Sequence, residues 1–161
     1  MPGEIDSGNW AVSYLLSMYK HRPKDFVFFE QPTVIVDNQS SSLDEISKSV
    51  CYFDYLDPLF SKKESVQNMV SYGLDHTGLG YLTEDVRNLF QIDKERFTRP
   101  LTGLGHEIFK AMGAISFSNN KEVICFPWMS KKLFDSYHTH LTYTIQTLQK
   151  EKKMVIVPVG Y

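Results

Sequence analysis

Residues 3 to 10 read Gly3-Glu4-Ile5-Asp6-Ser7-Gly8-Asn9-Trp10 and stand directly before a pattern typical of a helix. Gly3 and Gly8 match both glycines of the frame G-x-x-x-x-G-K-[S/T]. In that frame, backbone N–H groups and a helix N-terminus hold phosphate groups. Asn9 takes the place of the lysine, and Trp10 takes the place of the hydroxyl that binds Mg²⁺. Alone, this stretch is a weak signal, because two glycines at this spacing also occur in ordinary turns.

Short apolar runs alternate with helical patterns over the rest of the chain. The predicted strands are 26–29, 33–36, 50–53, 122–126 and 154–157. The predicted helices are 10–21, a short one opened by the Ser42 to Glu45 capping box, 64–72, one capped by Thr83 that runs to 89, 104–117 and 131–150. The polar run 38–42 is predicted to be a loop. This alternation favours an α/β fold with parallel strands.

Composition limits the class of protein. The 161 residues suit one domain over 1–161, with a net charge of −2 that indicates no nucleic-acid partner. Cys51 and Cys125 both lie in apolar runs, which predicts two buried thiols rather than a disulfide. No apolar run is long enough for a transmembrane helix, so we expect no membrane span of the chain's own.

The segments downstream of Gly3–Trp10 relate the alternating strands and helices to a known protein family. In order, they resemble the nucleotide-binding domain of ABC transporters, from the Asp-Gly turn region through the Q-loop, signature and Walker B regions to the strand before the switch histidine. The matching segments are 33–49, 50–73, 83–90, 99–103, 123–127 and 148–157. The resemblance implies an α/β, P-loop NTPase-like parallel sheet flanked by helices. It also implies an incomplete β-subdomain, because only Met1 and Pro2 precede Gly3 and the usual C-terminal end is lacking.

Position by position, the resemblance places altered residues at each functional point of that family. The degenerate phosphate loop comprises Gly3, Asp6, Ser7, Gly8, Asn9 and Trp10, and Asp6 brings a negative charge where the family has glycine. Tyr55 stands at the Q-loop glutamine. The remaining positions are the signature residues Leu101, Thr102 and Gly103, the Walker B pair Cys125 and Phe126, and Gly160 at the switch histidine.

These replacements remove what metal-assisted phosphoryl transfer requires: a cation on the phosphates, oxygen ligands for Mg²⁺ and a carboxylate that orients water. We therefore expect no catalytic residue and no ATPase activity from this chain alone. The residues themselves indicate no cofactor. They do not imply ATP with Mg²⁺; only the resemblance implies them.

The partners that the resemblance implies are an ABC-type ATPase subunit, in a homo- or heterodimer, and a membrane permease subunit. The expected location is the cytoplasm or the inner face of the membrane.

Other interpretations remain beside this one. The main alternative is a stand-alone binding or regulatory protein that kept the scaffold, and the least favoured is an enzyme that uses another chemistry. His138 and His140 lie two positions apart on a helix, which favours surface histidines over a metal pair. The aromatic stretch 52–60 fits core packing and partner docking equally.

Overall fold

The computed structural model describes residues 13, 15–17, 34–36, 39–55, 57–127 and 129–160. The proposed phosphate loop, from Gly3 to Trp10, lies outside the described residues, as do the strand predicted over 26–29 and most of the helix predicted over 10–21. Within that helix, Ser13 and residues 15–17 are helical.

A three-stranded parallel sheet forms the centre of the described fold. It has the order β3-β4-β6, where β3 is Val50–Tyr52, β4 is Val123–Cys125 and β6 is Met154–Ile156. The register aligns Tyr52 with Cys125 and Cys125 with Ile156. Each strand is a short apolar run, and both crossovers between neighbours contain helices, which is the usual connection between parallel strands.

Helices cover the sheet and form the bulk of the core. They are α1 (Leu43–Ser49), α2 (Val66–Thr77), α3 (Thr83–Leu89), α4 (Lys94–Phe97), α5 (Ile108–Ser118) and α6 (Lys131–Lys150). The helix α5 is buried at every position from Ala111 to Ser118 and packs against α2, α3 and α6. The core therefore centres on α5, which connects the helical part of the fold to the sheet.

Two small ribbons complete the described elements. Strands β1 (Val34–Val36) and β2 (Gln39–Ser41) pair antiparallel, and β5 (Met129–Ser130) pairs parallel with β7 (Val159–Gly160). The prediction of a loop over 38–42 was wrong for β2. Its polar residues carry no strand pattern, and the pairing with β1 supplies the hydrogen bonds instead.

Three helix starts also differ from the predictions. The helix predicted over 64–72 is α2, which spans Val66–Thr77 with Ser65 as its N-cap. The first helical residue of α3 is Thr83, so its N-cap is Leu82, whose N–H donates to the Asp85 carboxylate at 3.0 Å. The helix predicted from 104 begins at Ile108, because the 3₁₀ turns Leu101–Gly103 and Gly105–Glu107 precede it. The Ser42 capping box and the bounds of α6 are confirmed.

The α/β class with a parallel sheet flanked by helices is therefore confirmed for the part of the chain that the structure describes.

Candidate functional site

The carboxyl ends of the three parallel strands form the edge where a site is expected. Ligands of open α/β sheets bind outside this edge. The Phe53 N–H donates to the Cys125 carbonyl at 2.8 Å, and the Phe126 N–H donates to the Ile156 carbonyl at 2.9 Å. These bonds extend the pairing beyond the strands and place Phe53, Cys125 and Phe126 side by side at the edge.

The first side chain at this edge is the Cys125 thiol, at the position predicted to replace the Walker B aspartate. Cys125 is aligned with Tyr52 on the neighbouring strand. The side chains of these two residues therefore point to the same face of the sheet. Burial raises the pKa of this thiol to about 12, with the Asp57 charge adding to the rise and the Ser13 hydroxyl opposing it. The thiol is therefore neutral at physiological pH. A neutral sulfur is a poor ligand for Mg²⁺, which prefers oxygen.

Phe126 follows on the opposite face of the sheet and is completely buried. Its ring lies 4.5 Å from the Phe53 ring and 6.0 Å from the Phe109 ring, centroid to centroid. A phenyl group in an aromatic cluster offers neither a base nor a hydrogen-bond acceptor for an attacking water. Cys125 and Phe126 together do not fit a Mg²⁺-nucleotide complex, and no catalytic step can be derived through one here.

Tyr55 stands in the turn after β3, where the resemblance expects the Q-loop glutamine. It is partly buried against the core, and the Lys62 ammonium lies 4.9 Å from its ring centroid. Burial raises the pKa of the phenol, and the nearby Asp54 charge adds to the effect. Tyr55 therefore carries a neutral hydroxyl rather than an amide at this point.

The signature-like residues lie in the helical part of the fold. Leu101 is buried, while Thr102 and Gly103 are exposed at the 3₁₀ turn before α5. A Cβ on Gly103 would meet only Arg99 atoms, at 3.8 Å or more, so local packing does not require a glycine there. Gly160 is paired with Ser130 in the small β5-β7 ribbon. The structure thus places the consecutive residues Cys125 and Phe126 on opposite faces of the sheet edge, and it places the signature-like turn and Gly160 on other elements.

Asp57 is a buried carboxylate that the sequence analysis did not single out. Its oxygens accept from the Tyr52 N–H at 2.8 Å and the Leu59 N–H at 2.9 Å, which fold the loop back along β3. Burial raises the pKa of Asp57, although these two bonds and the Lys121 charge oppose the rise. The available signal in the sequence was the Asp57-Pro58 pair directly after a predicted strand.

Two hollows flank the loop that Asp57 holds. One, of about 200 Å³, is lined by Asp57 with Lys48, Lys121, Ser17 and Ser47, among others. The other is a groove of about 330 Å³, which we call the loop groove. It is lined by Pro58, Leu59, Glu64, Asn68, Met69, Tyr72 and Asn119.

The aromatic stretch 52–60 contains residues that face the core and residues that line the loop groove, and its predicted docking role stays a prediction. Phe53 and Phe60 are buried and contact each other edge to face, with ring centroids 5.9 Å apart. Pro58 and Leu59, between them in the chain, line the groove, and Leu59 is also partly buried against the core. One part of the stretch packs the core and another faces an open surface.

Among the described residues, no cluster of three or more His, Cys, Asp or Glu side chains could hold a metal ion.

Comparison with known proteins supports the fold. No family model matches the chain, and no curated protein matches it. Among the solved structures, 19 chains match. One of them is the ATP-binding cassette MJ0796, a dimer in a post-hydrolysis state bound to ADP and Pi, with a TM-score of 0.52 and 13% sequence identity. The match covers 80% of this chain and 62% of that chain.

At this identity the similarity concerns the fold alone. The chain has a fold distantly similar to that of an ABC ATPase, and it spans 62% of the length of the structure that it matches. The nucleotide, phosphate and dimer named for MJ0796 belong to that protein. No helix in the described ranges is long and apolar enough to cross a membrane.

Proposed function

We propose that this chain is a degenerate, hydrolysis-deficient ABC-type ATP-binding subunit that acts through its partners. The observation that carries the proposal is the pair Cys125 and Phe126, a neutral thiol and a buried phenyl ring at the sheet edge where the related fold needs oxygen ligands and a carboxylate. In this proposal the chain keeps the ABC-type scaffold and has lost the hydrolytic chemistry of the sheet edge. The remaining use of the scaffold is to bind partner subunits. Pairing with a competent ATPase subunit would supply hydrolysis at a complete site elsewhere in the complex.

The loop groove is the surface that we assign to a membrane permease subunit. Its exposed apolar group is the ring of Tyr72, which is 63% exposed on α2, above a floor formed by the buried Met69 and the partly buried Leu59. Exposed apolar surface rimmed by polar groups marks interaction sites. Here Glu64, Asn68 and Asn119 supply the polar rim. A few side chains from the apolar face of a short amphipathic helix, in a cytoplasmic loop of the permease, would fit such a groove.

The experiment is affinity purification of the tagged chain from detergent-solubilised membranes of its source, followed by mass spectrometry. We expect two partners: an ATPase subunit with intact ATP-binding motifs and a protein with several membrane spans. The variant Tyr72→Asp should lose the membrane protein and keep the ATPase subunit. The matched control is Leu82→Asp, because Leu82 is 71% exposed and lies outside the groove.

Recovery of neither partner would contradict the subunit role and favour a stand-alone binding protein. Recovery of the membrane protein with Tyr72→Asp at the wild-type yield would contradict the groove assignment and leave the subunit role standing. Calorimetric titration of ATP with and without Mg²⁺ separately determines whether the chain binds nucleotide without hydrolysing it.

A further inference from the structure

Asp57 is the residue through which the backbone of the loop between β3 and α2 is connected. It is 7% exposed. Its N–H donates to the Asp54 carbonyl at 3.0 Å, and its carbonyl accepts from the Phe60 N–H at 3.1 Å. Its carboxylate also accepts from the N–H groups of Tyr52 and Leu59. Asp57 therefore makes four hydrogen bonds within one loop, two through its backbone and two through its side chain.

The bond from Tyr52 attaches the loop to the outer edge of β3. The next residue, Phe53, donates its N–H to Cys125 at the end of β4, so the N–H of Tyr52 points away from β4. No strand among the described residues pairs with β3 on this side. The Asp57 carboxylate accepts this N–H at 2.8 Å, in the position where a neighbouring strand would otherwise offer a carbonyl.

The bond from Leu59 fixes one wall of the loop groove. Pro58 and Leu59 directly follow Asp57, and both line the groove. The Leu59 N–H reaches back two residues to the Asp57 carboxylate at 2.9 Å, the pattern of an Asx-turn. The opposite wall, with Met69 and Tyr72, belongs to the regular helix α2. The loop wall thus depends on a side chain for its shape, whereas the helical wall does not.

Burial of aromatic rings holds the ends of this loop but not its middle. Phe53 and Phe60 are buried and contact each other. Pro58 is exposed, and Leu59 is only partly buried against the core. Without the Asp57 carboxylate, both ends would stay in the core while the backbone between them lost two hydrogen bonds. A change at Asp57 should therefore alter the loop wall of the groove and leave the core intact.

We propose that Asp57 is a positioning residue for partner binding, because its carboxylate fixes Pro58 and Leu59 in the orientation that completes the loop groove. This inference rests on the proposed function, in which the groove receives a membrane permease subunit. Asp57 does not line the groove, so it acts through the two residues that follow it. A carboxylate suits this role because its two oxygens accept from two separate donors, whereas an asparagine amide has one acceptor oxygen.

Hydrogen exchange of single N–H groups on the purified full chain tests the positioning without any partner. The reporters are the N–H groups of Tyr52 and Leu59. In Asp57→Ala the protection of both should fall at least about tenfold, because a hydrogen bond to a charged group usually contributes more than the free energy of that factor. In Asp57→Asn only one of the two should lose protection. The N–H groups within α5 should keep wild-type protection in both variants.

Affinity purification then tests the effect on docking. The tagged Asp57→Ala chain should recover the ATPase subunit at the wild-type yield and lose the membrane protein, and Asp57→Asn should recover an intermediate amount. The matched control is Asp93→Asn. The Asp93 carboxylate also accepts two backbone bonds, from Glu95 at 2.9 Å and Arg96 at 3.2 Å, but it lies at the start of α4, outside the groove. This control should behave as wild type in both experiments.

Unchanged protection of both reporters in Asp57→Ala, or an equal loss within α5, would overturn the positioning role. Recovery of the membrane protein by Asp57→Ala at the wild-type yield, despite lost protection, would overturn the link to docking. If Asp57→Ala fails to fold, Asp57→Asn decides the same points through its single lost bond. Failure of the wild-type chain itself to recover a membrane protein would instead contradict the proposed function, and the exchange experiment would still decide whether Asp57 holds the loop.

Discussion

The ring of Phe126 lies 4.5 Å from the ring of Phe53, tilted by 52°, across the neighbouring ends of β4 and β3. This contact fills the space at the sheet edge with hydrocarbon. Phe126 is thereby a structural residue, and the edge beside it cannot hold the water that a carboxylate would orient.

Replacing Phe126 with alanine should lower the free energy of unfolding by about 3–5 kcal/mol, the usual cost of a cavity left by a buried phenylalanine. Denaturant unfolding followed by circular dichroism measures this. Tyr72→Ala is the control, because an exposed ring should matter by no more than about 0.5 kcal/mol. Equal effects of the two changes would show that Phe126 is not part of the core.

Both cysteines should resist a thiol reagent in the folded protein. Burial raises the pKa of Cys125 to about 12 and raises the pKa of Cys51 as well, with the Asp57 charge adding to both effects. The thiolate is the reactive form, so modification at about pH 8, near the ordinary pKa of a free thiol, should be slow until the chain is unfolded. Labelling with a chromogenic disulfide should then count two thiols in denaturant. Rapid labelling of either thiol without denaturant would contradict the buried assignment.

Gly113 should not tolerate a methyl group. A Cβ there would lie 2.7 Å from the Phe90 Cε1 atom and 2.9 Å from the Thr144 Cγ2 atom, where α5 packs against its neighbours. Overpacking costs about 1–3 kcal/mol and outweighs the helix propensity gain of up to about 1 kcal/mol. Thermal unfolding of Gly113→Ala should therefore show a lower Tm than wild type.

Gly103→Ala is the matched control for Gly113→Ala, since its Cβ would meet nothing closer than 3.8 Å. We expect its stability to lie within about 0.5 kcal/mol of wild type. A stable Gly103→Ala that pairs poorly with the ATPase subunit would place Gly103 in that interface. A Gly113→Ala variant as stable as wild type would contradict the packing described around α5.

The sequence was most informative where local chemistry determines structure. The Ser42 to Glu45 capping box predicted the start of α1, and the apolar spacing over 131–150 predicted α6 with its bounds. Both depend on neighbours within a few residues. The alternation of strands and helices likewise predicted the parallel sheet.

Features that depend on distant partners were not visible in the sequence. Gln39–Ser41 forms a strand only because Val34–Val36 lies beside it. The meeting of His106 with His140 joins two elements separated by a helix and two strands, so no local spacing could indicate it. The sequence likewise did not indicate that Asp57 is buried, because its two backbone donors belong to residues on either side of a folded-back loop.

The central claim is that this chain keeps an ATPase-like scaffold without its hydrolytic chemistry. The most direct measurement is phosphate release from ATP and Mg²⁺ by the purified chain, with a buffer blank and a parallel sample containing EDTA. The account predicts release equal to the blank, because it assigns a buried thiol and a phenyl ring to the positions where hydrolysis would need oxygen ligands and a carboxylate. Release above the blank that disappears with EDTA would contradict it.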